Sequence, residues 1–365
     1  MGARGRHRKR GGLARSLGAL LAVVVALGLA GVFARSAFQP GTTPTRATGS
    51  TPPASPSVSP LASPSPSLSP SPRATAPAGR GRLVIHGTGD VSVDPNYIPN
   101  FRSYGYGYAW SGLNGLFKRD DLTMVNLECA VSRLGSPVPK KFNFRGDPAA
   151  LPAMRAAGVE VANMANNHSY DFGPQALMDE REQLRRNDIA PIGAGADPQE
   201  ALSPALFTIR GWRVAVLGFD KVVDPYPEAV ARPGHPGTAA GHNEAAMIGA
   251  VKAAAGVANV VVVMIHWGVE LDTQPRASEV SLAHRLVQAG ADVIFGGHSH
   301  RLQPMESYRG RPIFYSLGNF VWPNLSAAGA TTAVAEVTIS PSGEVTGRLL
   351  PAYIESAGHP VLRGS

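Results

Sequence analysis

Cysteine is nearly absent from this chain of 365 residues: Cys129 is the only one. A single thiol excludes an intramolecular disulfide framework and a Cys-rich zinc site. Cys129 follows a strand-like run and is expected to be a small buried apolar residue. Acidic residues are missing altogether from positions 1–82, which hold 11 of the 34 Lys and Arg. Residues 83–365 therefore carry 23 basic and 26 acidic side chains, a net charge of −3. The overall +8 belongs to the N-terminus, so it gives no basic footprint on a folded surface and argues against a nucleic-acid partner.

Segments 1–35 and 36–82 lack the mixed composition of a folded domain. Arg4, Arg6, Arg8, Lys9, Arg10 and Arg15 precede an apolar run from Leu17 to Ala34, closed by Arg35. Such a pattern reads as a signal peptide or a single membrane helix. Val32-Phe33-Ala34 offers a cleavage site, but the length of the run favours an uncleaved anchor. The basic flank places the first residues in the cytoplasm and the rest outside, as a single-pass cell-membrane protein, or a secreted one if the signal is cleaved. Residues 36–82 are dominated by Pro, Ser, Thr and Ala and read as a disordered, partly extended linker. The folded domain is expected over 83–357, with a C-terminal tail at 358–365.

Within that domain, short β-branched runs alternate with helical stretches at Pro148–Ala157, Gly173–Asn187, Asn243–Ala255 and Ala277–Gly290. This alternation predicts an α/β fold rich in parallel pairing. Polar residues follow the runs: Asp90 after Leu83-Val84-Ile85, and Asn126 and Glu128 after Leu122–Val125. Asn166, Asn167 and His168 follow Val159–Ala162; His266 ends Val260–Ile265; His298 and His300 follow Asp292–Phe295. Ligands bind beyond the carboxyl ends of strands in such sheets, and hard O and N donors with no competing thiolates suit divalent cations. Singly, each has a plainer reading as a cap, a turn or a solvated loop histidine; jointly they predict a metal site. His86, His235, His242, His284 and His359 lack this context, though His235 and His242 flank a Gly/Pro-rich loop that could border the cleft.

The ordered motifs Gly-Asp90-Val, Asn126-Leu-Glu128, Asn166-Asn167-His168-Ser-Tyr-Asp171, His266-Trp267-Gly-Val-Glu270, Gly297-His298-Ser-His300 and Tyr315-Ser-Leu-Gly-Asn319-Phe320 resemble the CapA family. That family includes the PgsA-type component of poly-γ-glutamate synthesis and capsule export. The resemblance implies a metallophosphatase-like β-sandwich flanked by helices. It further implies one or two divalent cations (Mn, Zn or Fe) on Asp90, Glu128, Asn167, His266, His298 and His300, with His168 acting on the substrate and Asp171 orienting it. Two departures stand out: Ser92 occupies a position where phosphatases have His, and Glu128 one where they have Asp. Two functions follow, an accessory role with membrane polymer-synthase components handling an anionic polymer, and a hydrolase acting on a phosphoester substrate. Lys140, Lys141 and Arg145 read as a solvated basic loop before a guide for an anionic ligand, and Tyr104–Trp110 as packed aromatics.

Overall fold

The computed structural model describes residues 79–222, 226–239 and 243–364. The expected membrane segment 1–35 and all but the last four residues of the 36–82 linker lie outside them. Among the described residues no helix is long and apolar enough to cross a membrane.

One sheet takes β1 (Leu83–Val91), β2 (Leu122–Leu127), β3 (Val161–Asn163) and β4 (Ala190–Ile192), all parallel. A second takes β5 (Ala205–Ile209), β6 (Trp212–Asp220), β7 (Val260–His266), β8 (Val293–Gly297), β9 (Met305–Tyr308) and β10 (Arg311–Phe314), in the order β9-β10-β8-β7-β6-β5. The chain then returns to the first sheet through β11 (Asn319–Val321), parallel to β1, and the antiparallel β12 (Thr331–Ile339), β13 (Val345–Ser356) and β14 (His359–Leu362). Residues 358–365, expected as a tail, thus contribute an edge strand, because His359–Leu362 hydrogen-bond along β13.

The β-branched runs bury both faces, as parallel strands covered on two sides must. One core lies between the sheets and joins Ile85, Met124 and Val161 to Val216, Val262 and Phe295. Each outer face is covered by helices. α1 (Leu151–Ala157) and α2 (Gly173–Arg186) pack on the first sheet through Leu151, Met154, Leu177 and Leu184. α3 (Glu244–Val257) and α4 (Ala277–Ala289) pack on the second. In α4 the buried residues Leu282, Ala283, Leu286 and Val287 recur at helical spacing, and Gly290 ends the helix at φ 120°. The four helices fall within a few residues of their expected limits.

Candidate metal centre

Register builds the site. In the first sheet Asn319, Asp90, Asn126 and Asn163 are successive cross-strand partners, forming one polar row through β11, β1, β2 and β3. In the second sheet Asp220, His266 and Gly297 form the matching row. Asp90, Asn126, Asn163, His266 and Gly297 lie at or next to the carboxyl ends of parallel strands, Asn319 opens β11, and the packing of one sheet on the other sets Asp90 Oδ1 3.9 Å from His266 Nδ1.

Asp90 is fully buried; its Oδ1 accepts from Asn126 Nδ2 at 2.8 Å, and its Oδ2 lies 3.1 Å from His300 Nδ1. The His298 backbone N–H points at the same carboxylate, 3.3 Å from Oδ2. That approach depends on Gly297, where an added Cβ would stand 2.6 Å from Asp90 Oδ1. His298 and His300 both have positive φ, 89° and 53°, so the turn after β8 holds two non-glycine residues in the left-handed region. Trp267 Nε1 bonds the Tyr315 carbonyl at 2.8 Å and anchors the segment after His266.

His266 Nε2 meets Asn167 Oδ1 at 2.8 Å and His298 Nδ1 at 3.1 Å. Glu128 is fully buried, and neither carboxylate oxygen has a hydrogen-bond partner among the described residues. Its Oε1 lies 3.3 Å from His266 Nε2, but without hydrogen-bond geometry. Two sets of potential ligand atoms each fall within 4.8 Å of one another: Glu128 with His266 and His298, and Asp90 with Glu128 and His300. Glu128 is common to both.

Burial, reinforced by the Asp90 carboxylate, pushes Glu128 up to about 8. Burial depresses His266 to about 3 and His298 to about 2, the latter helped by its histidine neighbours. Burial opposes protonation of His300 as well, but Glu128 and Asp90 outweigh it and raise the ring to about 9. Two neutral imidazoles and a carboxylate lacking partners make an incomplete set by themselves. A divalent cation would complete it, since it accepts neutral nitrogen and anionic oxygen together, and the residues fit such an occupant.

His168 and Asp171 stand beside this cluster rather than in it. Asp171 Oδ2 lies 2.8 Å from His168 Nδ1, and an ionised carboxylate can only accept, so Nδ1 carries the hydrogen. The His168 ring packs on Phe144 at 4.3 Å. Lys140 Nζ donates to Asp171 Oδ1 at 2.7 Å and to the Asn167 carbonyl. The Lys140 side chain is 6% exposed, and Arg145 donates to the Ser132 and Leu134 carbonyls, so the expectation of a solvated basic loop fails for both. Lys140 ties its loop to Asp171 and Asn167, Arg145 closes the loop on itself, and of the three basic residues Lys141 alone stays in solvent. Sequence reasoning also passed over Asn163, which donates to Asn126 Oδ1 at 2.9 Å. The cluster of Asn163, Asn166 and Asn167 was its only advance signal.

Asp94, two residues beyond Ser92, accepts from the Asn96 and Arg145 backbone N–H groups and belongs to neither ligand set. His235 contacts Tyr170 and the Glu228 carbonyl, and His284 pairs with Glu306. His242 lies outside the described residues. Cys129 is buried, and Trp110 is buried whereas Tyr104 is largely exposed, so the aromatic stretch is only partly core. A cleft of about 210 Å³ opens beside the cluster, lined by His168, His300, Glu270, Tyr97, Phe144 and Trp322 among others.

The sequence profile of the bacterial capsule synthesis protein PGA_cap matches residues 84–324. The chain is 28% identical over 281 residues to the capsule biosynthesis protein CapA of Bacillus anthracis, covering 75% of this chain and 68% of that one. It is 30% identical over 245 residues to the PGA biosynthesis protein CapA of Bacillus subtilis, covering 66% and 64%. A probable polyglutamine synthesis accessory protein of Mycobacterium tuberculosis is 34% identical over 210 residues, with 55% of each chain covered. The chain thus spans between about half and two thirds of the length of these relatives.

Proposed function

The chain belongs to the bacterial capsule synthesis protein family PGA_cap, and from that premise we propose that it assists the synthesis, export or anchoring of poly-γ-glutamate or a capsule-like anionic polymer. In this reading Asp90, Glu128, Asn167, His266, His298 and His300 hold one or two divalent cations in a metallophosphatase-like fold. The observation that carries it is Glu128, a fully buried carboxylate with no hydrogen-bond partner among the described residues, facing His266. A bound cation supplies Lewis acidity and a grip on carboxylate or phosphate oxygens. The chain's own residues do the rest: the Asn row fixes the orientation of Asp90 and His266, and buried walls exclude water. The N-terminal apolar run anchors the protein in the cell membrane with its folded domain outside, beside membrane components of the synthase.

A second reading, a metal-dependent hydrolase of a cell-surface phosphoester, is favoured by one observation: His168 lines the cleft and is backed by the buried Asp171. His168 Nε2 would give a proton to the leaving group. Turnover of a phosphodiester by the metal-loaded protein, abolished in Glu128→Ala, supports the hydrolase. Metal binding without turnover, together with loss of surface polymer in cells carrying Glu128→Ala, supports the accessory role. No metal under any loading condition overturns both. Protease cleavage of the domain on intact cells tests the external location; protection in intact cells with cleavage after lysis refutes it.

A further inference from the structure

The amino ends of the strands, remote from the metal centre, hold a second and larger cleft. Its volume is about 740 Å³, and the seven residues of β7 set it about 20 Å from His266. Arg80, Arg213, Arg309 and Arg311 line it, with Asp292 as the only acid among the described lining residues. The carboxyl ends of α3 and α4 reach the same wall through Gly256 and Gly290. Each helix end contributes about half a negative charge, so with Asp292 they offset about two of the four guanidiniums. About two positive charges remain, and the low-dielectric walls focus their field on the cleft.

Three of these arginines are fixed from behind. Arg80 lies over the Trp212 ring at 4.4 Å, and Trp212 Nε1 donates to the Gly81 carbonyl at 2.8 Å. Arg311 Nε pairs with Asp292 at 3.1 Å, and Asp292 Oδ2 accepts from the Val261 N–H. Arg309 stands over the Tyr308 ring and opens the two-residue turn Arg309-Gly310 between β9 and β10, at φ 52°. The turn Arg210-Gly211 between β5 and β6 is built alike, with Arg210 at φ 48°. Asparagine or glycine would take that left-handed position at less cost, so neither turn calls for arginine by itself. Arg210 is neutralised by Asp121, whereas Arg80, Arg213 and Arg309 form no ion pair among the described residues.

We propose that this cleft binds a phosphate monoester, its oxygens taken by Arg80, Arg213, Arg309 and Arg311. A guanidinium forks onto carboxylate and phosphate alike, but the two differ in what they offer a group of arginines. A carboxylate brings one charge on two oxygens. A phosphate monoester brings about two charges on three oxygens, which matches the surplus. The volume leaves room for the group that the phosphate is attached to. The site shares no residue with the metal centre and stands or falls apart from it.

The test uses the full chain in phosphatidylcholine nanodiscs with chelator present, and calorimetry against empty nanodiscs. α-Glycerophosphate is expected to bind at least about tenfold tighter than glycerate, which carries one carboxylate on a frame of the same length. Arg213→Gln combined with Arg309→Asn should weaken α-glycerophosphate by at least about tenfold. That variant should melt as the unaltered chain does, since Asn accepts the φ of the turn. His298→Ala combined with His300→Ala should leave binding unchanged; loss there would move the phosphate to the metal centre and overturn the proposal. Absence of binding, equal binding of glycerate, or an unaffected arginine variant overturns it as well. Weaker binding in nanodiscs with phosphatidic acid than in phosphatidylserine nanodiscs of equal charge identifies the ligand as a lipid headgroup. Equal binding in the two identifies it as a free phosphate ester.

Discussion

Strand β1 carries two buried clusters of histidine and carboxylate, and they differ in one respect. At His86, Nδ1 lies 2.7 Å from Asp120 Oδ2 and Nε2 lies 3.4 Å from Glu336 Oε2, while Asp120 accepts from Thr123 and Glu336 from Arg348. Every member has a protein partner. Four residues on, at Asp90, the neighbouring cluster includes Glu128 with both oxygens unsatisfied. Both clusters bury acids beside imidazoles, so burial and composition do not separate them. What separates them is completeness: a closed network stabilises the fold, and an open one is built for an occupant.

The comparison breaks most sharply on metal uptake. Changing His298 and His300 together to Ala should reduce bound divalent metal by at least about tenfold, measured by elemental analysis of the purified chain. His86→Ala should leave metal content unchanged. Equal loss in both would erase the distinction between the clusters.

Stability is the next largest effect and runs the other way. His86→Ala removes the buried ring that Asp120 and Glu336 share, leaves a cavity in its place and should cost about 3 kcal/mol, read from urea unfolding of the metal-free chain. Lys140→Met should cost about 2 kcal/mol, less because Asp171 keeps the Phe144 N–H and His168. A Lys140→Met chain as stable as the unaltered one would show that Lys140 is not needed to hold Asp171.

The smallest expected effect is a pH slope. Glu128 and His300 titrate higher in the folded chain, near 8 and 9, than their ordinary 4.5 and 6.5. Each therefore lends stability at low pH that disappears as pH rises through its folded value. The depressed His266 and His298 act oppositely, but only below their ordinary 6.5. Between pH 7 and 9 the metal-free chain should thus lose stability as pH rises. Glu128→Gln should flatten that slope; an unchanged slope in Glu128→Gln would remove Glu128 from the account.

How legible was this in the sequence? The four helices, the α/β class and the strands ending in Asp90, Asn126, His266 and Gly297 were readable, because hydrophobic period and strand-end polarity are local properties. The edge strand His359–Leu362 was not, since its hydrogen bonds go to β13 and nothing in its own residues demands them. Lys140 misled for a similar reason: a lysine between Pro139 and Lys141 looks solvated until the fold sets Asp171 beneath it. Asn319 could be quoted within a motif, but not recognised as a buried acceptor without a donor.

By itself, then, the sequence determined the donors, their order and their attachment to strand ends, since these follow from residue identity and local periodicity. Only the tertiary structure decided which of the buried polar groups are paired and which are left open. Pairing depends on register between strands far apart in the chain, such as Asp90 opposite Asn126 and Asn319, and no local pattern encodes that distance.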